Sequence, residues 1–255
     1  MLHPSKTRLT AERAAATARG VLAGLARPVG TFDASRYFRS GTPLVFYNVG
    51  TQTVRGLAQK LAREQRGAWT VSDALRLADE LIADAHFEVK AFGIEVLACF
   101  RREFTPRLLP AWKKWLARNH SANWATTDAI CGMLIGPLVL RYPALVPTVS
   151  SWARHRNMWV RRAAAVGLIP AVRRGLALRE GYETARRLHA DREDLIQKAV
   201  GWMLREAGKA DPRRLERYLR RQGPRIPRTT LRYAIERFPP PKRRRLLAAT
   251  RPQRG

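Results

Sequence analysis

Phe87-Glu88-Val89-Lys90-Ala91, Trp159-Val160-Arg161-Arg162-Ala163 and Leu195-Ile196-Gln197-Lys198-Ala199 are three versions of one pattern. Each opens on a large apolar residue and closes on a cation followed by alanine. That cation falls at 90, 162 and 198, intervals of 72 and 36 residues, so the period is 36. The remaining slot, position 126, lies in Asn123-Trp124-Ala125-Thr126-Thr127-Asp128. There the cation is missing, and a carboxylate stands two residues further on. Self-similarity at such a period marks stacked supersecondary units.

The stretches around these segments carry helical spacing. Val71, Ala74, Leu75, Ala78, Leu81 and Ile82 predict a helix over 71–82, with Ser72 and Asp73 where an N-cap is expected. Further helices are predicted over 52–65, 87–102, 106–118, 122–140, 143–155, 158–175, 193–208, 211–221 and 228–237, mostly separated by Pro, Gly or Asn. No convincing alternating strand is present, and Leu44 to Gly50 reads as a short extended loop. Helix pairs recurring every 36 residues predict an all-α, HEAT-like helical-repeat solenoid over 1–238. Neighbouring pairs would share one core and leave a concave basic surface lined by one helix of each pair. The run Pro239-Pro240-Pro241-Lys242-Arg243-Arg244-Arg245 predicts a basic, flexible tail over 239–255 that adds a non-specific phosphate-binding arm.

Composition narrows the partner. With 255 residues and 45% hydrophobic content the chain can bury a sizeable core, but its net charge is +28. Such self-repulsion is best tolerated against a polyanion. Nucleic acid ranks first, an anionic membrane surface second and acidic proteins third. Cys99 and Cys131 form no Cys-x-x-Cys or Cys/His spacing, and His3, His86, His120, His155 and His189 are scattered, so neither disulfide, metal nor cofactor is expected. The Arg- and Ala-rich N-terminus does not read as a signal peptide, and the apolar run Ala129 to Leu140 is too short to span a bilayer. A cytoplasmic, nucleoid-associated monomer without membrane contact is the expectation.

Aromatic and charged residues sit one turn apart in the repeated helices: Phe87 and Lys90, Trp124 and Asp128, Trp159 and Arg162, Lys198 and Trp202. Cations beside aromatic faces suit sugar–phosphate recognition. Phe87 and Trp159 are assigned to the core, while Lys90 and Lys198 fit either a phosphate contact or an ordinary solvated face. Asp128 is harder to place. With Ser121 as cap it lies about two turns into its helix, beyond the best reach of the dipole. One reading pairs it with Arg162 of the next repeat. The other puts it in a DNA groove, where a carboxylate weakens phosphate binding and earns its place by stabilising positive charge that develops during a reaction.

The chain resembles the AlkD-like family of DNA alkylation repair glycosylases over roughly residues 34–220. The resemblance rests on Ser35-Arg36-Tyr37, the Asn123 to Asp128 segment, Asn157-Met158-Trp159-Val160-Arg161-Arg162-Ala163-Ala164 and, most specifically, the stretch from Ile196 to Glu206. It implies metal-free excision of N3- and N7-alkylated purines from double-stranded DNA, without flipping the base into a protein pocket; because no lysine is needed as a nucleophile, a monofunctional glycosylase is expected. By position, Asp128 matches the catalytic aspartate. Trp124 and Trp202 match aromatics that pack on the lesion's deoxyribose, and Arg162 matches the active-site arginine. Tyr37 matches a tyrosine near the lesion strand, although Ser40 to Gln52 departs from the family's usual loop. Lys90, Arg161 and Lys198 are expected to bind DNA. Two rivals stand beside the enzyme: a non-catalytic helical-repeat protein that binds damaged or branched DNA, and a scaffold for an acidic protein or RNA.

Overall fold

A computed structural model of the chain describes residues 9–28, 45–121 and 123–251. Tyr37 and residues 252–255 lie outside them. The described residues are helical apart from turns and two isolated bridges, Val45 with His86 and Arg66 with Trp69. The fold class is therefore all-α, as the periodicity predicts. The chain divides into two compact units, Met1–Leu134 and Ile135–Gly255.

The first unit contains α1 (Ala11–Gly24), α2 (Thr51–Glu64), α3 (Val71–Ile82), α4 (Phe87–Cys99), α5 (Leu109–Ala117) and α6 (Trp124–Ile130). Helix α1 was not among the predicted helices; it buries Ala11, Ala14, Ala15, Ala18 and Leu22 on one face, with Thr10 as its cap. Helix α3 starts one residue before the predicted cap. Thr70 is the N-cap, and its backbone N–H and hydroxyl both donate to Asp73 Oδ2 at 2.9 Å. This reciprocal capping box fixes where the helix begins. Helix α4 is the hub, with α2, α3 and α6 all packed on it. It buries Val89, Phe92, Ile94, Val96 and Leu97, and a Cβ at Gly93 would come within 3.3 Å of Ala78 Cα, so glycine lets α3 lie close. The extended residues from Val45 are held by α4 as well. The buried Glu88 carboxylate accepts from the N–H groups of Tyr47 (3.1 Å) and Val49 (3.2 Å), and Tyr47 stacks on His86.

Helix α6 is followed by one π-helical turn, Cys131–Ile135, so the predicted 122–140 helix is not continuous α-helix. Pro137 supplies a reason, because it has no N–H to donate to the carbonyl four residues back.

The second unit contains α7 (Gly136–Arg141), α8 (Val146–Ser151), α9 (Met158–Val166), α10 (Ile169–Arg173), α11 (Leu178–Leu188), α12 (Asp194–Ala210), α13 (Pro212–Gln222), α14 (Arg228–Ala234) and α15 (Pro240–Ala249). Its hub is α12, which touches α9, α10, α11, α13 and α14. Glu206 of α12 is buried, which works against its charge, but Lys209 and Arg173 outweigh the burial and hold its carboxyl below the usual range. The Arg173 contact, 2.7 Å, ties α10 to α12. The basic tail needs correcting. Pro240–Ala249 is a helix, not a flexible arm, because Leu246 is fully buried and Lys242 Nζ pairs with Glu216 of α13 at 2.5 Å.

His189 sits just past α11 with one ring nitrogen 2.7 Å from the Tyr218 hydroxyl and the other buried without a partner. Burial holds its pKa down to about 4. The unfolded chain therefore takes up a proton first as pH falls, and stability present above about pH 6.5 is lost on the way to about pH 4. The loss amounts to up to about 3 kcal/mol. Urea midpoints at pH 7 and pH 4.5 should differ accordingly. In His189→Gln, which keeps a partner for Tyr218 but does not titrate, the dependence should flatten, and an unchanged slope would reject the assignment.

Candidate functional site

The 36-residue period places positions 90, 126, 162 and 198 within the first five residues of α4, α6, α9 and α12. The register is right, but most of the row does not face solvent. Lys90 is 4% exposed, Thr126 2% and Arg162 5%.

Lys90, expected at the DNA surface, is instead an internal tie. Its ammonium donates to the Ile82 carbonyl at 2.8 Å and the His120 carbonyl at 2.7 Å. Ile82 ends α3, so the charge caps a helix C-terminus, where a cation is favoured. Burial lowers its pKa to about 8, against the pull of Asp84. Arg161 needs the same correction. Its guanidinium pairs with Asp191 at 2.6 Å and donates to the carbonyls of His155 and Arg156 at 3.1 and 2.8 Å, so it secures the loop ahead of α9 to the one ahead of α12. Arg162 donates from one terminal nitrogen to the Leu195 carbonyl, 2.5 Å away in the first turn of α12. These cations reach 30 to 33 residues along the chain, close to one period, and join consecutive repeats.

Trp124 and Asp128 behave differently. Asn123, not Ser121, caps α6: its side-chain oxygen accepts from Thr126 N–H at 2.7 Å. Its amide nitrogen donates to the Ser121 carbonyl and the Thr126 hydroxyl, and Thr127 Oγ1 donates to the Asn123 carbonyl, all within 2.9 Å and all buried. This network sets the rotation of a seven-residue helix that is too short to hold its own register. Thr126, Thr127 and Ile130 face inward, while Trp124, Ala125, Asp128 and Ala129 are half-buried on the other side. Asp128 is thus neither a core carboxylate nor a freely solvated one, and it lies one turn from the Trp124 ring.

Helix α12 repeats the arrangement in the second unit. Ile196, Ala199, Val200, Met203 and Leu204 are buried, and the stripe left open is Asp194, Lys198, Trp202 and Arg205. Lys198 pairs with Asp194 at 2.6 Å on the surface, an exposed i,i+4 pair that another anion can displace at little cost. Trp202 is half-buried one turn on. Trp159 is buried as expected, and Phe87 is half-buried against Phe46 at 5.6 Å. Glu88 and Asn123 were not singled out from the sequence. Only Asn123 carries a readable signal, a capping residue directly before a helix.

Among the described residues, no three His, Cys, Asp or Glu side chains are grouped so as to hold a metal ion, and no single helix is long and apolar enough to cross a membrane.

The sequence pattern of the DNA alkylation repair enzymes matches residues 19–238, and the chain belongs to that family. Its role is in the repair of alkylated DNA, and DNA is its substrate. Two solved structures share the fold. A predicted DNA alkylation repair enzyme from Enterococcus faecalis superposes with a TM-score of 0.70 at 19% identity, over 81% of this chain and 93% of its own. The smu.31 protein of Streptococcus mutans UA159 superposes with a TM-score of 0.54 at 18% identity, over 74% of this chain and 98% of its own. No curated protein sequence matches significantly.

Proposed function

We propose that the protein is a monofunctional DNA glycosylase that hydrolyses the N-glycosidic bond of positively charged N3- and N7-alkylated purines in duplex DNA, with no cofactor. The observation that carries this reading is the orientation of α6. Its buried cap turns an aromatic ring and a carboxylate together toward the open side, in a chain whose net charge is +28. A carboxylate there opposes DNA binding, and its compensating use is chemical.

Alkylation makes the purine a cation and a good leaving group. The bond from C1′ to the base nitrogen breaks, and its electron pair goes to the base, which departs neutral. The sugar takes on oxocarbenium character, as in other glycoside cleavages. Asp128 stabilises that charge and orients the water whose oxygen bonds to C1′, while the water's surplus proton passes to solvent. Preorganised charge of this kind contributes on the order of 10²–10³-fold in rate. Trp124, one turn from Asp128, excludes bulk water from the sugar and adds cation–π attraction of about 0.5–2 kcal/mol. Lys198 takes a backbone phosphate.

The test is a wild-type assay on methylated duplex DNA. Free 7-methylguanine and 3-methyladenine should appear, with abasic sites and no strand cleavage. Tight binding without base release would instead establish the non-catalytic reading. The corrected cation roles make a second prediction. Lys198→Ala should reduce the log–log salt slope of duplex affinity by about one unit. Lys90→Met should leave the slope unchanged and lower the unfolding midpoint, since it strips the Ile82 and His120 carbonyls of a donor. A slope that shrinks with Lys90 and not with Lys198 would reverse these assignments.

A further inference from the structure

Between α11 and α13, inside the second unit, lies a half-open cavity of about 600 Å³. Helix α12, with Lys198 and Trp202, contributes none of its lining. From α11 come Arg179 and Arg186, and from α13 come Arg214, Arg217 and Arg221. Their spacings, seven residues on α11 and three and four on α13, put each set on one helix face aimed at the other. Among the described residues, no carboxylate pairs with Arg179, Arg186, Arg217 or Arg221. Glu183, the single acid of the lining, is engaged by Arg187. Five arginines against that one carboxylate leave the lining with a net charge near +4.

Its floor is built for a polar guest. The rings of Tyr182 and Tyr218 lie 4.7 Å apart, 7% and 4% exposed. Tyr218 bonds His189, while Tyr182 lines the cavity and its hydroxyl is buried with no hydrogen-bond partner. Burial also raises its pKa, so it stays a neutral donor. The Arg214 guanidinium rests over the Tyr182 ring at 5.3 Å, which restricts one cation in advance. Five arginines and an unpartnered buried hydroxyl on the residues of one cavity suit an anion with several acceptor oxygens. Guanidiniums match phosphate in fork geometry. The volume falls in the range of cavities that enclose compact ligands.

We infer that this cavity is a second anion site, separate from the DNA-contacting stripe, and that it takes a compact polyphosphate, inorganic or carried on a nucleotide. The inference does not rest on the glycosylase reading. It is tested by calorimetric titration of the full chain with inorganic triphosphate and, separately, with ATP. Saturable binding of either is expected, and comparison of the two tells whether the nucleoside contributes. Arg186→Gln/Arg217→Gln should weaken binding at least tenfold and Tyr182→Phe several-fold, with circular dichroism unchanged. Lys198→Ala should bind the ligand as the wild type does. Absence of saturable binding would overturn the proposal. So would equal weakening by Lys198→Ala, or binding of a short oligonucleotide with no binding of triphosphate or ATP. If the double arginine variant fails to fold, Tyr182→Phe decides alone, since it removes one hydroxyl and leaves the packing intact.

Discussion

Asp128→Asn is expected to bind alkylated duplex DNA at least as tightly as the wild type and to lose base excision by about 10²–10³-fold. The two effects have one cause. Asp128 is half-buried beside Trp124, on the side of α6 that its capping network turns outward. Asparagine preserves shape and polarity but removes the negative charge, so repulsion of phosphates should fall while the sugar cation of the proposed reaction should lose its counter-charge. Because Thr126, Thr127 and Ile130 carry the packing of α6, stability should change little. A parallel drop in affinity and excision would mean that Asp128 holds structure, not charge. Trp124→Ala should lower excision too, but with weaker binding, since the ring is proposed to contact the sugar in ground and transition states alike.

Gly201→Val is expected to destabilise the second unit by about 4 kcal/mol, a fall in Tm of roughly 8–16 °C. A Cβ at Gly201 would stand 2.5 Å from Tyr233 Cβ and 2.8 Å from the Thr230 carbonyl oxygen. Both atoms belong to α14, held close to α12 by the bond from Thr230 Oγ1 to the Gln197 carbonyl at 2.9 Å. Neither can rotate away. Gly208→Ala is the control. There the neighbour is the tip of the Leu215 side chain, which can shift, so the loss should be much smaller. Thermal melts of the two variants decide it, and equal melting points would show that α14 yields. Since Trp202 is the next residue but its ring is on the open side, Gly201 also fixes how α12 is rotated.

The 36-residue period was legible because a repeat must reuse the same helix position, and α4, α6, α9 and α12 do so at 90, 126, 162 and 198. The direction each slot faces was not. A cation that clamps a phosphate and a cation that clamps a neighbouring carbonyl leave the same trace in sequence, and Lys90, Arg161 and Arg162 turned out to bond carbonyls. The Trp124/Asp128 and Lys198/Trp202 pairs read correctly as shared faces, since four-residue spacing admits no other geometry in a helix. Helix α11 escaped the periodicity because its buried face is made of Gly181, Tyr182, Thr184, Ala185 and Leu188, too small and polar to stand out. The same weakness concealed the arginine cavity, which needs α11 and α13 brought together. Three consecutive prolines disguised α15, yet proline suits a first helical turn, and Leu246 anchors the rest.

The Asp128 carboxylate, in a strongly basic protein, is proposed to be there to expel a cationic base. Single-turnover release of 7-methylguanine from a methylated duplex, with enzyme in excess so that every duplex is bound, tests it most directly. Wild type should liberate free base, and Asp128→Asn, equally bound, should do so at least about 100-fold more slowly. Equal rates for the two proteins, or no base released by the wild type from fully bound duplex, would contradict it.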